Sequence, residues 1–425
     1  MQSQPPAVGV QWSLLLTSWV GLFLGAIIVI SSTFSVLLIP ISSEFGWTRS
    51  QMGLAYSLFS LTSTLSLPAT GVLVDMLSAR SVITACVLSF GILCVLLRFV
   101  QDLWQLYALF IALGVISGGT SSLPYFKVLV RAFGHRRGAA LGFANSGTAV
   151  GTSLFPLLAF WLNARFGWRD TYSSLGTAVT LITVPVVLYG LRVRPKSAAS
   201  GAESQRESVV SEASMPEEAG GSLSGALRTP SFWLVALAFF LATGALVGFL
   251  IHMVPLLRDR GMAPERAALA ATGFGAAQFA GRLGAGWLLD RLSARRVAAG
   301  LWGVAAVSFV ALWSGATGGA LFLCAALAGL AFGGEGDVLA FFVGRLFGTG
   351  SFGKIYSMLL MINLLGAVVG PYVFGMAFDK GGSYTSALGA ASVVMLMSAA
   401  TILYRPRSDP PEVARAAAAG LGKHF

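Results

Sequence analysis

The sequence predicts an all-α polytopic membrane protein in which twelve transmembrane helices form two six-helix bundles. Three observations carry that expectation. The 425 residues are 56% hydrophobic and only 11% charged, where soluble domains are roughly a quarter charged. Apolar runs long enough to cross about 30 Å of hydrocarbon recur from end to end, without the alternation of barrel strands. Two short polar motifs also recur in the second half of the chain at nearly one offset from the first.

Cutting at charges, prolines and glycines gives the elements in order. The polar start has no basic region or small-residue cleavage site before the first apolar run, so helix 1 is expected to be retained. That run is 12–39, followed by 50–74 up to Asp75, 82–100 after Arg80, 104–127 after Asp102, 138–162 after Arg137 and 170–191 before Arg192. These form an N-terminal bundle over 1–191. Residues 192–230, rich in Ser, Glu, Gly and Ala, read as a flexible cytoplasmic connector. The C-terminal bundle, 231–404, holds 231–257, 264–289, 297–315, 319–343, 354–378 and 384–404, and 405–425 is a short cytoplasmic tail.

The net charge of +11 does not point to nucleic acid, because the basic residues are dispersed among short loops rather than gathered on one soluble face. The partner they imply is the lipid bilayer. With both termini cytoplasmic, most of the 28 Lys and Arg residues fall on the inner side, against Arg49, Arg165, Arg169, Arg258, Arg260, Arg266 and Lys380 outside. This bias sets the orientation and suits a bacterial inner membrane. Arg98 and Lys127 lie close enough to helix ends to snorkel. Cys86 and Cys94 share one helix and Cys324 lies in another, so no disulfide framework is implied. The glycine-rich runs lack a Walker lysine, and the loops hold no nucleophile, base and metal constellation. No enzyme activity, cofactor or metal is expected.

The repeat is specific. Gly71-x3-Asp75-x4-Arg80 after helix 2 recurs as Gly286-x3-Asp290-x4-Arg295 after helix 8, and Arg131-Ala132-Phe133-Gly134 recurs as Arg345-Leu346-Phe347-Gly348. Parallel six-helix repeats point to a transporter, acting as a monomer, whose halves rock about a midplane site. Asp75 and Asp290 close their helices beside basic turns that include Arg80, Arg291 and Arg295. Their expected role is a breakable inner gate that stabilises the outward-facing state.

At Gly71-Val72-Leu73-Val74-Asp75-Met76-Leu77-Ser78-Ala79-Arg80 the sequence resembles the major facilitator superfamily, which implies the major facilitator fold. Three further stretches resemble its monocarboxylate transporter and oxalate/formate antiporter group: Glu44-Phe45-Gly46-Trp47-Thr48-Arg49-Ser50, the run from Arg136 to Gly147, and His252-Met253-Val254-Pro255. In monocarboxylate transporters a helix 8 arginine follows an aspartate four residues earlier. Arg282 matches that arginine, but Gln278 stands at the aspartate position, and Gln11-Trp12-Ser13-Leu14 stands where the group has an Asp-Gly-Gly-type motif. Oxalate/formate antiporters add a helix 11 lysine, and the nearest position here is Asn363. One fixed cation suits one carboxylate better than two.

The candidate site residues follow from depth. Arg282 lies eight residues before Asp290, about 12 Å from the cytoplasmic boundary, where a charge is costly unless it faces a cavity or partner. Its guanidinium can hold a carboxylate through two parallel hydrogen bonds. Glu335 and Asp337 precede Arg345 by ten and eight residues, at about the same depth. Their spacing turns them to different faces, so one is expected to line the path and the other to pack. An acid that alternates between Arg282 and a proton would couple proton entry to anion binding. His252, near the outer end of helix 7, is a further proton-coupling candidate, although a wetted structural role is favoured slightly. Tyr125, Asn145 and Asn363 are candidates for orienting substrate, with helix packing as the competing role. The function expected is secondary transport of a small organic anion, most simply a monocarboxylate with protons. An oxalate/formate-type exchanger and a non-transporting sensor are the alternatives.

Overall fold

The computed structural model describes residues 8–133, 137–191, 223–347 and 351–404, which are helical almost throughout. The first span is two helices, α1 (Val8–Phe23) and α2 (Ala26–Phe45). Spans two and three are α3 (Arg49–Met76) and α4 (Ala79–Leu96), and α5 (Leu103–Ser117) with α6 (Ser122–Phe133) makes the fourth. Spans five and six are one long element, α7 (Arg137–Gly190), interrupted at Gly167 with φ 78° and ψ 170°. A short α8 (Leu223–Leu227) precedes α9 (Pro230–Asp259), α10 (Pro264–Leu289), α11 (Ala294–Trp313), α12 (Gly319–Phe347), α13 (Phe352–Gly381) and α14 (Thr385–Leu403).

Ten stretches among the described residues are long and apolar enough to span a membrane. One of them, Ala140–Gly190, supplies two spans. Gly147 packs on Trp19 and Gly190 on Thr17, so the chain must reverse between them, and Gly167 is where it does. Only a glycine takes that φ without strain. The spanning helix outside the ten is α10, diluted by Gln278, Arg282 and its glycines. The helix that falls outside the ten is thus the one that carries the mid-depth arginine.

Local signals fix the helix ends. Thr48 and Gln51 form a capping box at the start of α3, with Thr48 N–H donating to Gln51 Oε1 at 2.9 Å. The preceding Gly46 ends α2 in the left-handed region. Such caps satisfy backbone groups that have no intrahelical partner.

The sequence reading treats spans one and four as continuous, and both are broken. Gly25 is extended between α1 and α2, and a 3-10 turn over Gly118–Thr120 separates α5 from α6. The two breaks meet: the orphan Ala26 N–H donates to Thr120 Oγ1 at 3.1 Å. At this depth no water is at hand for such a group, so one break satisfies the other.

The helices before the 192–222 segment pack on one another, α3 on α5 and α1, α2 and α4 on α7, although the most extensive contact of α3 is with α13 beyond that segment. Those after it do likewise, α10 on α12, α9 on α13 and α11 on both α12 and α14. The groups meet along α3–α13, α7–α10 and α2–α9. A methyl on Gly53 would overlap Pro371 O, one on Gly375 would overlap Arg49 O, and Gly275 lies against Ser153. Small residues thus let the two groups touch backbone to backbone.

Candidate functional site

The pairing of α10 with α12 sets up the mid-depth charges. A Cβ at Gly281 would strike Leu330 O, and one at Gly329 or Gly333 would strike Phe274 O or Gln278 O, so the helices approach as closely as backbones can. That approach brings Arg282 to Asp337, with Nε 3.6 Å from Oδ2. The depth counted from the loops is therefore the same for both. The side chains are 35% and 45% exposed, which suits groups facing a wet cavity. At 3.6 Å the contact is an ion pair rather than a hydrogen bond. Arg282 Nε is buried without a hydrogen-bond partner, as is Gln278 Oε1 one turn earlier. The guanidinium therefore keeps donor capacity that a second carboxylate could use.

Glu335 faces the other way. It is 5% exposed and its Oε1 is hydrogen-bonded to Thr243 Oγ1 of α9, which also bonds to Oδ1 of Asn363 on α13. The two acids thus take different faces, as their spacing requires. Asp337 meets the arginine and Glu335 packs into a closed polar cluster. Thr243 was not singled out by the sequence; a lone threonine in an apolar run gives no signal until its partners are known.

The other polar candidates lie elsewhere. Asn363 is 7% exposed and belongs to the Glu335 cluster rather than to Arg282. Tyr125 is fully buried against Gly21 of α1, its hydroxyl without a hydrogen-bond partner among the described residues. Asn145, half-buried on α7, takes a hydrogen bond from Thr148 on its backbone carbonyl at 2.7 Å.

At the end of the molecule bearing Asp75 and Asp290, the repeated motifs make contacts within their own group of helices. Asp75 pairs with Lys127 of α6, whose Nζ also donates to Val74 O at 2.8 Å. Lys127 is thus an ion-pair partner as well as a residue near a helix end. Arg295 Nη1 donates to the carbonyls of Ile402 and Tyr404, at 2.9 and 2.7 Å. Arg291 lies over the Trp287 ring at 3.8 Å. Gly71 and Gly286 meet open space, Asp290 is exposed, and Arg80 has a buried Nε without a hydrogen-bond partner. Of the second repeated motif, Gly134 and Gly348 lie outside the described residues.

The opposite end carries a constellation that the sequence did not reveal. Arg49, at the start of α3, grips Asp259 at the end of α9 with two nitrogens, each 2.9 Å from a carboxylate oxygen. The backbone N–H groups of Arg49 and Ser50 donate to Asp379 of α13 at 3.0 and 2.8 Å, so a carboxylate from one group of helices caps a helix of the other. Such a carboxylate also complements the positive end of the helix dipole. Arg49 Nη1 donates to Tyr384 Oη at 2.7 Å and its guanidinium lies over the Phe378 ring at 4.0 Å. These hydrogen bonds cross between the groups at this end, and Val254 N to Ser35 Oγ at 3.1 Å is a further one.

His252 is tied into this constellation. It is fully buried, with Nε2 2.8 Å from Pro371 O and Nδ1 2.9 Å from Tyr384 Oη. A carbonyl only accepts, so Nε2 carries hydrogen; Tyr384 accepts from Arg49 and can donate to Nδ1. Burial raises the Tyr384 hydroxyl above its ordinary range, so that hydrogen stays in place. The wetted surroundings expected for His252 are therefore not found, because α13 and Tyr384 close over the ring. The sequence did hold a signal for this end: Arg49 within the 44–50 motif and an aspartate at each of two loop edges of the other half.

A model of the Major Facilitator Superfamily matches residues 19–262 and 245–425. The chain is 30% identical to monocarboxylate transporter 11 of Mus musculus over 326 residues, covering 73% of this chain and 69% of that protein. It is 24% identical to monocarboxylate transporter 13 of Rattus norvegicus, covering 95% and 91%. It is also 22% identical to the uncharacterized MFS-type transporter YcxA of Bacillus subtilis, covering 87% and 89%. Among solved structures, the bacterial homolog to the human lysosomal transporter Spinster, inward-facing and unoccupied, superposes with a TM-score of 0.70 at 17% identity, covering 97% and 96%.

Proposed function

Because the chain belongs to the major facilitator superfamily, and is an integral membrane transporter by that membership, we propose that its cargo is a small organic anion, most simply a monocarboxylate, carried with protons. The observation that carries this reading is the long Arg282–Asp337 contact, an ion pair that leaves Arg282 Nε without a hydrogen bond. A carboxylate entering the cavity can take the guanidinium bidentately and displace Asp337, which must then be hydrated or take up a proton. Gln278 cannot serve as that acid, so the role passes from α10 to α12. The distant relationship to proteins named monocarboxylate transporters supports the same cargo class. A dicarboxylate exchanger would need a second cation, and an uncharged amide occupies position 363.

The basic loops orient the Asp75 end toward the cytoplasm. The crossing hydrogen bonds at the Arg49 end then close the outer side, and the conformation opens inward. Asp75, Arg80, Asp290, Arg291 and Arg295 would re-engage across the halves when the molecule faces outward, acting as the inner gate. The protein would work as a monomer, since one chain supplies both halves.

Thermal shift of the purified protein tests the cargo class, using monocarboxylates, dicarboxylates and organic cations at two pH values, repeated with Arg282→Ala. A ligand held at about a hundred times its Kd stabilises the folded state by about 2.7 kcal/mol. Monocarboxylates should raise the Tm of the native protein and not of Arg282→Ala. Stabilisation by organic cations, with none by any carboxylate, would overturn the reading.

A further inference from the structure

Glu335 is a second mid-depth acid that anion binding at Arg282 does not use. Its carboxyl is 5% exposed, and the residues that meet it, Thr243 and Asn363, are 4% and 7% exposed. Of the charged and titratable groups on the neighbouring helices, Arg282 on α10 pairs with Asp337 on its own helix, and Tyr356 on α13 stands beside Asp337. None of them is its hydrogen-bond partner; that partner is Thr243. From α11, Leu301 packs against the neighbouring Gly334, so that side is apolar.

The hydrogen count of the cluster is the informative feature. Thr243 Oγ1 contacts two oxygens, Glu335 Oε1 and Asn363 Oδ1, and has one hydrogen to give. With the Asn363 amide in this orientation, the second hydrogen has to sit on the Glu335 carboxyl. The chain then runs from the carboxylic acid O–H to Thr243 Oγ1, and from the Thr243 hydroxyl to Asn363 Oδ1. If the proton leaves, the carboxylate becomes acceptor only. Thr243 must turn its hydrogen to Glu335, and Asn363 must turn its amide so that Nδ2 donates to Thr243. One proton therefore selects between two arrangements, in each of which Thr243 bonds to both Glu335 and Asn363. No cation is needed to hold either.

We propose that Glu335, Thr243 and Asn363 form the proton-binding site of this transporter, separate from the Arg282–Asp337 anion site, with Glu335 carrying the proton and Thr243 and Asn363 positioning it. Thr243 lies on α9 and Asn363 on α13, the helices that also carry Asp259, Pro371 and Asp379 to the contact between the halves. Loading the site thus changes the bonding between two helices that meet the N-terminal half. Asp337 keeps the simpler role of neutralising Arg282 when no anion is present.

The inference rests on the proton-coupled reading for one of its two tests only. In pH-difference infrared spectra, the carbonyl stretch of a protonated carboxylic acid should appear in the native protein and in Asp337→Asn, disappear in Glu335→Gln, and shift in Thr243→Val, where the hydroxyl is removed. In proteoliposomes, radiolabelled pyruvate uptake should lose its dependence on an inward proton gradient by tenfold or more in Glu335→Gln. A carboxylic acid band that survives Glu335→Gln and vanishes in Asp337→Asn would overturn the assignment. So would an unaltered gradient dependence of uptake in Glu335→Gln. If pyruvate is not transported, the cargo reading fails while the infrared result still decides for or against Glu335.

Discussion

Weakening the Arg49–Asp259 contact should open the outer end of the molecule. Two N–H···O contacts of 2.9 Å join the side chains, which are 14% and 34% exposed. Hydrogen bonds to charged groups contribute about 1.5–3 kcal/mol, while fully exposed ion pairs contribute at most about 1 kcal/mol. Partial exposure puts this pair between those limits, at about 1.5 kcal/mol. Since about 1.4 kcal/mol is a factor of ten, Asp259→Asn should move the ratio of inward-open to outward-open molecules by roughly that factor. Arg49→Gln, which also loses Tyr384 and the Phe378 ring, should move it further. Spin labels at Gln101 and Thr317, on outer loops of opposite halves, would report the distance by pulsed electron resonance in a chain lacking Cys86, Cys94 and Cys324. If both variants leave the distance distribution within twofold of the parent, Arg49 does not latch the halves.

Two other outcomes are expected. Gly333→Ala places a methyl on Gln278 O and should lower stability by about 1–3 kcal/mol, the usual cost of overpacking, whereas Gly336→Ala, which meets open space, should leave the Tm unchanged; equal effects would contradict the close approach of α10 and α12. Asp290→Asn should raise the inward-open population in the labelled protein by removing an inner-gate charge, and a distribution identical to the parent would argue against that gate.

The class of fold was legible because hydropathy and repetition are local or near-local signals. The sequence also singled out Arg282, since a guanidinium in an apolar run has few uses. It could not say which acid meets Arg282, because a rotation of roughly 200° between Glu335 and Asp337 fixes only that they differ. That choice depends on where α9, α10 and α13 stand around α12. The breaks at Gly25 and Gly118–Ser121 were hidden for a related reason. Each half-helix remains apolar, and only their meeting through Ala26 and Thr120 makes the interruption tolerable. Arg49 was read as an outer loop charge because its partners, Asp259 and Asp379, lie in the other half of the chain.

Gly167 joins the fifth and sixth spans with almost no loop, and the next residues fasten that corner to its neighbours. Trp168 Nε1 donates to Glu44 of α2 at 2.6 Å, Arg169 pairs with the same carboxylate, and Arg169 also donates to the carbonyls of Arg98 and Val100 at 3.0 and 3.1 Å. The ends of the first, third, fifth and sixth spans that lie on the Arg49 side of the molecule are thereby joined at a single point. Separating any one of these four on that side breaks contacts to the same corner. Rotation of this half is therefore expected to carry their ends together.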